Sequence, residues 1–114
     1  MAADVFRVTG APDADSPRIA WSPESSDLHV NVVVLKPGES IGEHVNASLD
    51  VVMTCLAGEG TLTVDGEDIA FTPGTVALVP TGARRGVVAG NNGVKYTTCH
   101  RKRGGIMPTV QSRS

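Results

Sequence analysis

The stretch Pro37-Gly38-Glu39-Ser40-Ile41-Gly42-Glu43-His44-Val45-Asn46 joins a Pro-Gly turn to a segment whose alternate positions are small and polar. Successive side chains of a strand point to opposite faces, so the even positions from Ser40 to Asn46 are predicted to share one face. His44 lies on this face, and imidazole serves as metal ligand, acid or base near neutral pH. The stretch therefore predicts a strand whose polar face presents His44 for metal binding or acid–base chemistry.

Short β-branched runs alternate with turn residues on both sides of this stretch, and no long segment has clear helical periodicity. Asp65-Gly66 is typical of a tight hairpin. Turns at this spacing predict a sandwich or a closed barrel, in which few strand edges are left open. The predicted strands share an apolar or alternating pattern and comprise residues 28–35, 40–46, 51–56, 61–64, 68–71, 75–79, 86–89 and 94–101.

Two glycine-rich segments, residues 58–60 and 90–93, are predicted to be turns that separate strands. Near the N-terminus, residues 5–8 and 18–21 are predicted to be short edge strands. The expected organisation is an N-terminal arm (1–27), a barrel (28–101) and a C-terminal tail (102–114).

Composition excludes several classes of function. The 114 residues carry a net charge of −2 and no broad basic stripe, so a nucleic-acid partner is not expected. No apolar run has membrane-spanning length, and no basic segment followed by an apolar core precedes the barrel, so we expect a cytoplasmic protein without membrane contact. Cys55 and Cys99 are expected to be two buried thiols in a reducing cytosol, with a disulfide between adjacent strands as the alternative.

The glycines and prolines carry a resemblance to a known family. Gly38 is followed after five residues by His44-Val45-Asn46, and six residues separate Val51 from Gly58. Gly74 leads after five residues to Pro80-Thr81-Gly82, two residues before Arg85. In this skeleton the chain resembles the cupin superfamily, which implies an all-β, single-domain double-stranded β-helix (jelly-roll) barrel over residues 28–101.

The resemblance also implies where a metal would lie. Working cupin metal sites usually present three histidines and one glutamate, and His44 keeps the first of these positions. Asn46 replaces the second histidine, Val51 the glutamate and Arg85 the last histidine. An arginine cannot donate electrons to a cation and repels it, so we expect no cofactor. The alternative is a divalent metal (iron, manganese, nickel or zinc) held by residues among His44, Asp50, His29 and His100.

Without a metal, the barrel is expected to bind a small molecule through mostly apolar walls with a few polar groups. Arg85 is the candidate anchor for a carboxylate or phosphate, because its guanidinium pairs with such groups bidentately. The alternative is that Arg85 extends to solvent or pairs with an acidic residue of the chain itself, such as Asp50 or Glu43. The predicted ligand-binding residues are His44, Asn46, Met53, Cys55 and Arg85.

Three functions are compatible with these residues. The first is a metal-independent small-molecule-binding protein. The second is an enzyme, either a metal-free isomerase or cyclase in which His44 and Arg85 support proton transfer, or a metallo-dioxygenase with unconventional ligands. The third is a structural or dimerisation module. The resemblance further implies a homodimer, with residues 28–35 and the N-terminal segment as interface strands.

Overall fold

The computed structural model describes residues 3–102, which form an antiparallel all-β structure. The strands, in chain order, are β1 (Ile19–Trp21), β2 (Leu28–Leu35), β3 (Ser40–Val45), β4 (Val51–Val64), β5 (Glu67–Phe71), β6 (Val76–Val79) and β7 (Arg84–Arg101). Within this part of the chain, no helix has the length and hydropathy that a membrane span requires. The predicted tail, apart from Lys102, lies outside the described residues.

The two long strands β4 and β7 pair with each other and organise the fold. The first half of β4 lies between β6 and the second half of β7, which continues to β2 and then β1. The second half of β4 lies between β5 and the first half of β7, which also pairs with β3. The result is two sheets that share two bent strands, which confirms the predicted all-β jelly roll.

The core lies between these two sheets. Phe71 of one sheet and Tyr96 of the other make an edge contact with ring centroids 5.5 Å apart. Because apolar surface removed from water drives folding, this interior accounts for most of the stabilisation. The largest side chains that are completely buried are Phe71, Leu35, Met53, Leu62, Val32, Val34, Val51, Val79, Val94 and Cys55.

The predicted turns at residues 58–60 and 90–93 are wrong, because β4 and β7 continue through them. The pairing register of β4 with β7 shifts between Cys55 and Ala57 and again between Gly58 and Gly60. Gly58 and Gly93 have φ values of 74° and 73°, which a glycine adopts without steric cost. These glycines therefore form bulges that bend the strands and turn them from one sheet into the other, instead of ending them.

The N-terminal arm differs from its prediction as well. Residues 5–8 form no strand, whereas the second predicted edge strand is present as β1. Phe6 stacks on Trp21 at 5.9 Å between ring centroids, and the indole Nε1 of Trp21 donates a hydrogen bond to Asp4 at 3.2 Å. The arm thus packs through aromatic contact. Cys55 and Cys99 are both free thiols, as predicted, but only Cys55 is buried, whereas Cys99 is half-buried.

Candidate functional site

A partly enclosed cavity of about 170 Å³ lies between the two sheets. Its floor is buried and mostly apolar, whereas Arg18, Ile19 and His44 are exposed at its rim. Such a shape, with apolar walls and few polar groups, is typical of a small-molecule site. The lining residues are Arg18, Ile19, Val33, Ile41, His44, Met53, Arg85, Gly86, Val87, Tyr96 and Thr98.

The pairing of β3 with β7 brings His44 and Arg85 together. They are directly opposed partners, and opposed residues of an antiparallel pair project from the same face. The pairing register shifts between Ile41 and His44, and as a result Ile41 and His44 both point to the cavity although they are three positions apart. The prediction that the even positions 40–46 share one face is therefore wrong, because the bulge changes the alternation within β3.

Arg85 is half-buried and lines the cavity. Its Nη1 atom is buried and has no hydrogen-bond partner among residues 3–102. Burial lowers the pKa of its guanidinium from the ordinary value, and the nearby Tyr96 opposes this shift. A cation that is partly removed from water and lacks an acceptor is energetically costly, and proteins normally pair such groups.

The alternative that Arg85 pairs with Asp50 or Glu43 is wrong. Within residues 3–102 the ion pair formed joins Arg18 to Glu39 at 3.6 Å, and Arg85 takes part in none. The carboxylate of Asp50 instead accepts hydrogen bonds from the backbone N and the hydroxyl of Thr81, at 2.8 and 3.0 Å. The guanidinium of Arg85 is therefore available to a ligand.

Tyr96 supplies a neutral hydroxyl to the cavity. Desolvation by burial raises the pKa of its phenol to about 12, although the positive charges of Arg85 and Arg18 favour the ionised form. The phenol therefore stays protonated at neutral pH and can donate a hydrogen bond to a ligand. Sequence reasoning missed Tyr96 and Thr98, although their alternation with Val94 along the predicted strand 94–101 was a usable signal.

The cavity contains three of the five predicted ligand-binding residues, His44, Met53 and Arg85. Asn46 is absent from the lining, since its Oδ1 accepts hydrogen bonds from the backbone N of Ser48 and of Leu49 at 3.1 and 3.0 Å. That amide oxygen shapes the turn after β3.

Cys55 is also absent from the lining. It is buried in the core, where its thiol lies 3.6 Å from the carbonyl oxygen of Phe71. Desolvation raises the pKa of this thiol. A thiol in these surroundings is a packing group and a poor nucleophile.

The residues at the cupin ligand positions do not fit a metal of the three-histidine, one-glutamate kind. The amide oxygen of Asn46 accepts hydrogen bonds from backbone N–H groups, Val51 is completely buried, and Arg85 adds a positive charge. Among residues 3–102, no group of three or more His, Cys, Asp or Glu side chains is placed to hold a metal ion.

The remaining histidines do not converge with His44. His29 and His100 are opposed partners of β2 and β7, and their rings make an edge contact with centroids 4.9 Å apart. His100 Nδ1 lies 2.8 Å from the carbonyl oxygen of Arg101, and His29 Nε2 lies 3.3 Å from Asn31 Nδ2. The two rings therefore contact each other and nearby polar groups, and neither of them lines the cavity.

The interaction of Asp50 with Thr81 predicts a pH-dependent stability. The two hydrogen bonds lower the pKa of the Asp50 carboxyl in the folded protein, the backbone bond contributing most. A depressed folded-state pKa stabilises the protein above the unfolded-state pKa of about 3.9, and this contribution is lost as the pH falls through the folded-state value. Asp50→Asn is therefore expected to unfold more easily than the parent near pH 7, with a smaller difference near pH 3.

Urea unfolding at the two pH values measures this difference. Glu67→Gln, at an exposed position on β5, serves as the control and should differ little from the parent at either pH. A deficit of Asp50→Asn that is as large near pH 3 as near pH 7 would contradict the assignment.

The barrel is similar to one family of known proteins. A model of the cupin domain matches residues 31–98. TT1209 from Thermus thermophilus is a structural relative with a TM-score of 0.67 and 27% identity, over 75% of this chain and 85% of that chain. No curated protein sequence matches this chain.

Two further solved structures carry functional descriptions of their own. A predicted oxalate decarboxylase from Thermotoga maritima has a TM-score of 0.61 and 23% identity, over 64% of both chains. A sugar phosphate isomerase of the cupin superfamily from Silicibacter pomeroyi has a TM-score of 0.64 and 22% identity, over 68% of this chain and 52% of that chain. At identities below 25%, the similarity shows a shared fold and not a shared function. The family match spans more than half of the 114 residues, and the protein belongs to the cupin family.

Proposed function

We propose that this cupin binds a small organic anion in the cavity between its two sheets. The observation that carries the proposal is Arg85, whose buried Nη1 has no acceptor among the described residues and whose side chain lines the cavity. A carboxylate or phosphate in the cavity would give this guanidinium the anionic partner that residues 3–102 do not supply.

The surroundings of Arg85 support a binding role. No Asp or Glu is among the lining residues, so nothing in the wall competes for the guanidinium. The hydroxyls of Tyr96 and Thr98 and the ring of His44 offer further hydrogen bonds. A few polar groups converging on a mostly apolar cavity are the usual means by which proteins orient a small ligand.

The proposal includes binding without a metal. The support is chemical: an arginine stands where the last histidine ligand would be, and a buried valine stands where the carboxylate would be. The same guanidinium that repels a cation attracts an anion. Chelators are therefore expected to leave ligand binding unchanged.

Removal of the Arg85 charge is the direct test. Titration calorimetry with acetate, benzoate and inorganic phosphate is expected to detect binding of at least one of them. Arg85→Gln should weaken that binding by about 10- to 100-fold, since a hydrogen bond to a charged group contributes about 1.5–3 kcal/mol.

Arg84→Gln is the matched control, because Arg84 is the exposed neighbour and does not line the cavity. It should bind like the parent, and EDTA should change neither protein. If all three anions fail to bind, or if they bind Arg85→Gln as tightly as the parent, the proposed site is wrong.

We also propose that the protein is a cytoplasmic homodimer. The interface predicted at residues 28–35 is not supported, because β2 is paired on both sides and residues 32–35 are buried in the protomer. Apolar side chains exposed on β4 and β6, namely Val52, Val76 and Leu78, instead support association with a second copy. The free thiols Cys55 and Cys99 are compatible with a reducing compartment. Catalysis through His44, the alternative function, stays a prediction.

A further inference from the structure

We infer that the ligand is a monocarboxylate with a compact apolar body, about the size of benzoate, and not a phosphate or a sugar phosphate. This inference rests on the proposed anion site at Arg85 and adds the chemical class of the molecule that fills it. Three properties of the cavity carry it: its charge, its walls and its size.

The charge of the cavity matches one negative charge. Two arginines line it: Arg18 pairs with Glu39 at 3.6 Å, whereas Arg85 forms no ion pair with any of residues 3–102. Tyr96 stays neutral because burial raises the pKa of its phenol to about 12. A phosphate monoester near neutral pH carries a second charge, which would enter a partly desolvated site without a partner.

The walls match an apolar body. Five aliphatic side chains line the cavity, whereas the hydroxyls of Tyr96 and Thr98 and the ring of His44 are the hydrogen-bonding groups besides the two arginines. A sugar brings several hydroxyl groups, and each one that is buried without a partner costs free energy. The aliphatic lining residues are Ile19, Val33, Ile41, Met53 and Val87.

The size matches a single ring. The cavity volume is about 170 Å³. An engineered apolar protein cavity of about 150 Å³ binds benzene, so the space here holds a molecule of that bulk. With the ring against Val33, Met53 and Val87, the carboxylate can extend towards Arg85, which is half-buried between the buried floor and the exposed rim.

Titration calorimetry on the full chain with four probes tests the class: benzoate, acetate, inorganic phosphate and glucose 6-phosphate. Benzoate is expected to bind at least about tenfold more tightly than each of the other three, since it adds a buried ring to the charge contact. Benzyl alcohol, which has the ring without the charge, should bind at least about tenfold more weakly than benzoate.

Variants separate the two contributions. Arg85→Gln should weaken benzoate binding by at least about tenfold. Ile41→Thr changes a half-buried wall residue, so the fold is expected to tolerate it. This variant should weaken benzoate binding several-fold, and weaken it more than acetate binding, because the ring contacts the apolar wall.

The outcomes distinguish the class from the site. If phosphate or glucose 6-phosphate binds more tightly than benzoate and depends on Arg85, the proposed anion site stands and the monocarboxylate class is overturned. If acetate binds as tightly as benzoate, the inference that the ligand has a compact apolar body is wrong. Failure of all four anions to bind overturns the site and the class together.

Discussion

Replacement of Gly58 by alanine is expected to lower the free energy of unfolding by about 3–4 kcal/mol, as the sum of backbone strain and overpacking. Gly58 has a φ of 74°, a left-handed conformation that a residue with a Cβ adopts at a cost. A Cβ at this position would also overlap the carbonyl oxygen of Gly93 on the paired strand β7. Because that neighbour is backbone, it cannot move aside without distorting the bend of both long strands.

Gly38→Ala is the matched control for this prediction. Gly38 has nearly the same φ, 76°, but a Cβ there would meet nothing within 4 Å. Its cost is therefore expected to be the backbone strain alone, about 1–2 kcal/mol. Chemical denaturation of both variants measures the difference, and equal losses would show that the close approach of β4 and β7 has no energetic consequence.

Arg85→Met is expected to raise the free energy of unfolding of the ligand-free protein by about 1 kcal/mol, while it removes anion binding. The substitution keeps an unbranched apolar stem and deletes a guanidinium whose Nη1 lacks an acceptor. Replacing a partly desolvated, unpaired charge by an apolar group of similar length relieves its desolvation cost. A residue that costs stability and gains a partner on binding is typical of a functional site.

Arg84→Met, on the exposed neighbour, controls for the loss of one positive charge. It should change the unfolding free energy by less than about 0.5 kcal/mol and leave ligand binding unchanged. Urea denaturation of the ligand-free proteins supplies the comparison. A loss of stability on Arg85→Met would mean that the guanidinium is satisfied in the folded protein, against the interpretation of its unpaired Nη1.

Much of the fold could be predicted because local residue types specify turns. The hairpin at Asp65-Gly66 joins β4 to β5, with Asp65 at a φ of 49° and Gly66 at 83°, and the run at residues 28–35 forms β2 as predicted. The continuation of the strands through Gly58 and Gly93 could not be predicted in this way. A glycine permits either a turn or a bulge, and the choice depends on the partner strand that pairs alongside it.

The candidate site was predictable in part. His44 and Arg85 were identified because they stand at ligand positions of the cupin motifs that the chain resembles, and they are opposed partners of β3 and β7. Arg18 carried no signal, because it precedes the short strand β1 and reaches the cavity through the pairing of β1 with β2.

The order of residue types along the chain predicts an all-β domain of short strands and tight turns, because turn propensity and strand alternation are local properties. The placement of His44 and Arg85 on a barrel wall is what the resemblance of the turn motifs to the cupins implied. Local properties do not establish which side chains meet. Pairing between segments far apart in the chain leaves Asn46 and Cys55 out of the cavity and brings Tyr96 and Thr98 into its wall. The same pairing places the Asp50 carboxylate where it accepts a hydrogen bond from the backbone N of Thr81. That pairing also leaves Arg85 half-buried with Nη1 unpaired, which is the basis of the proposed anion site.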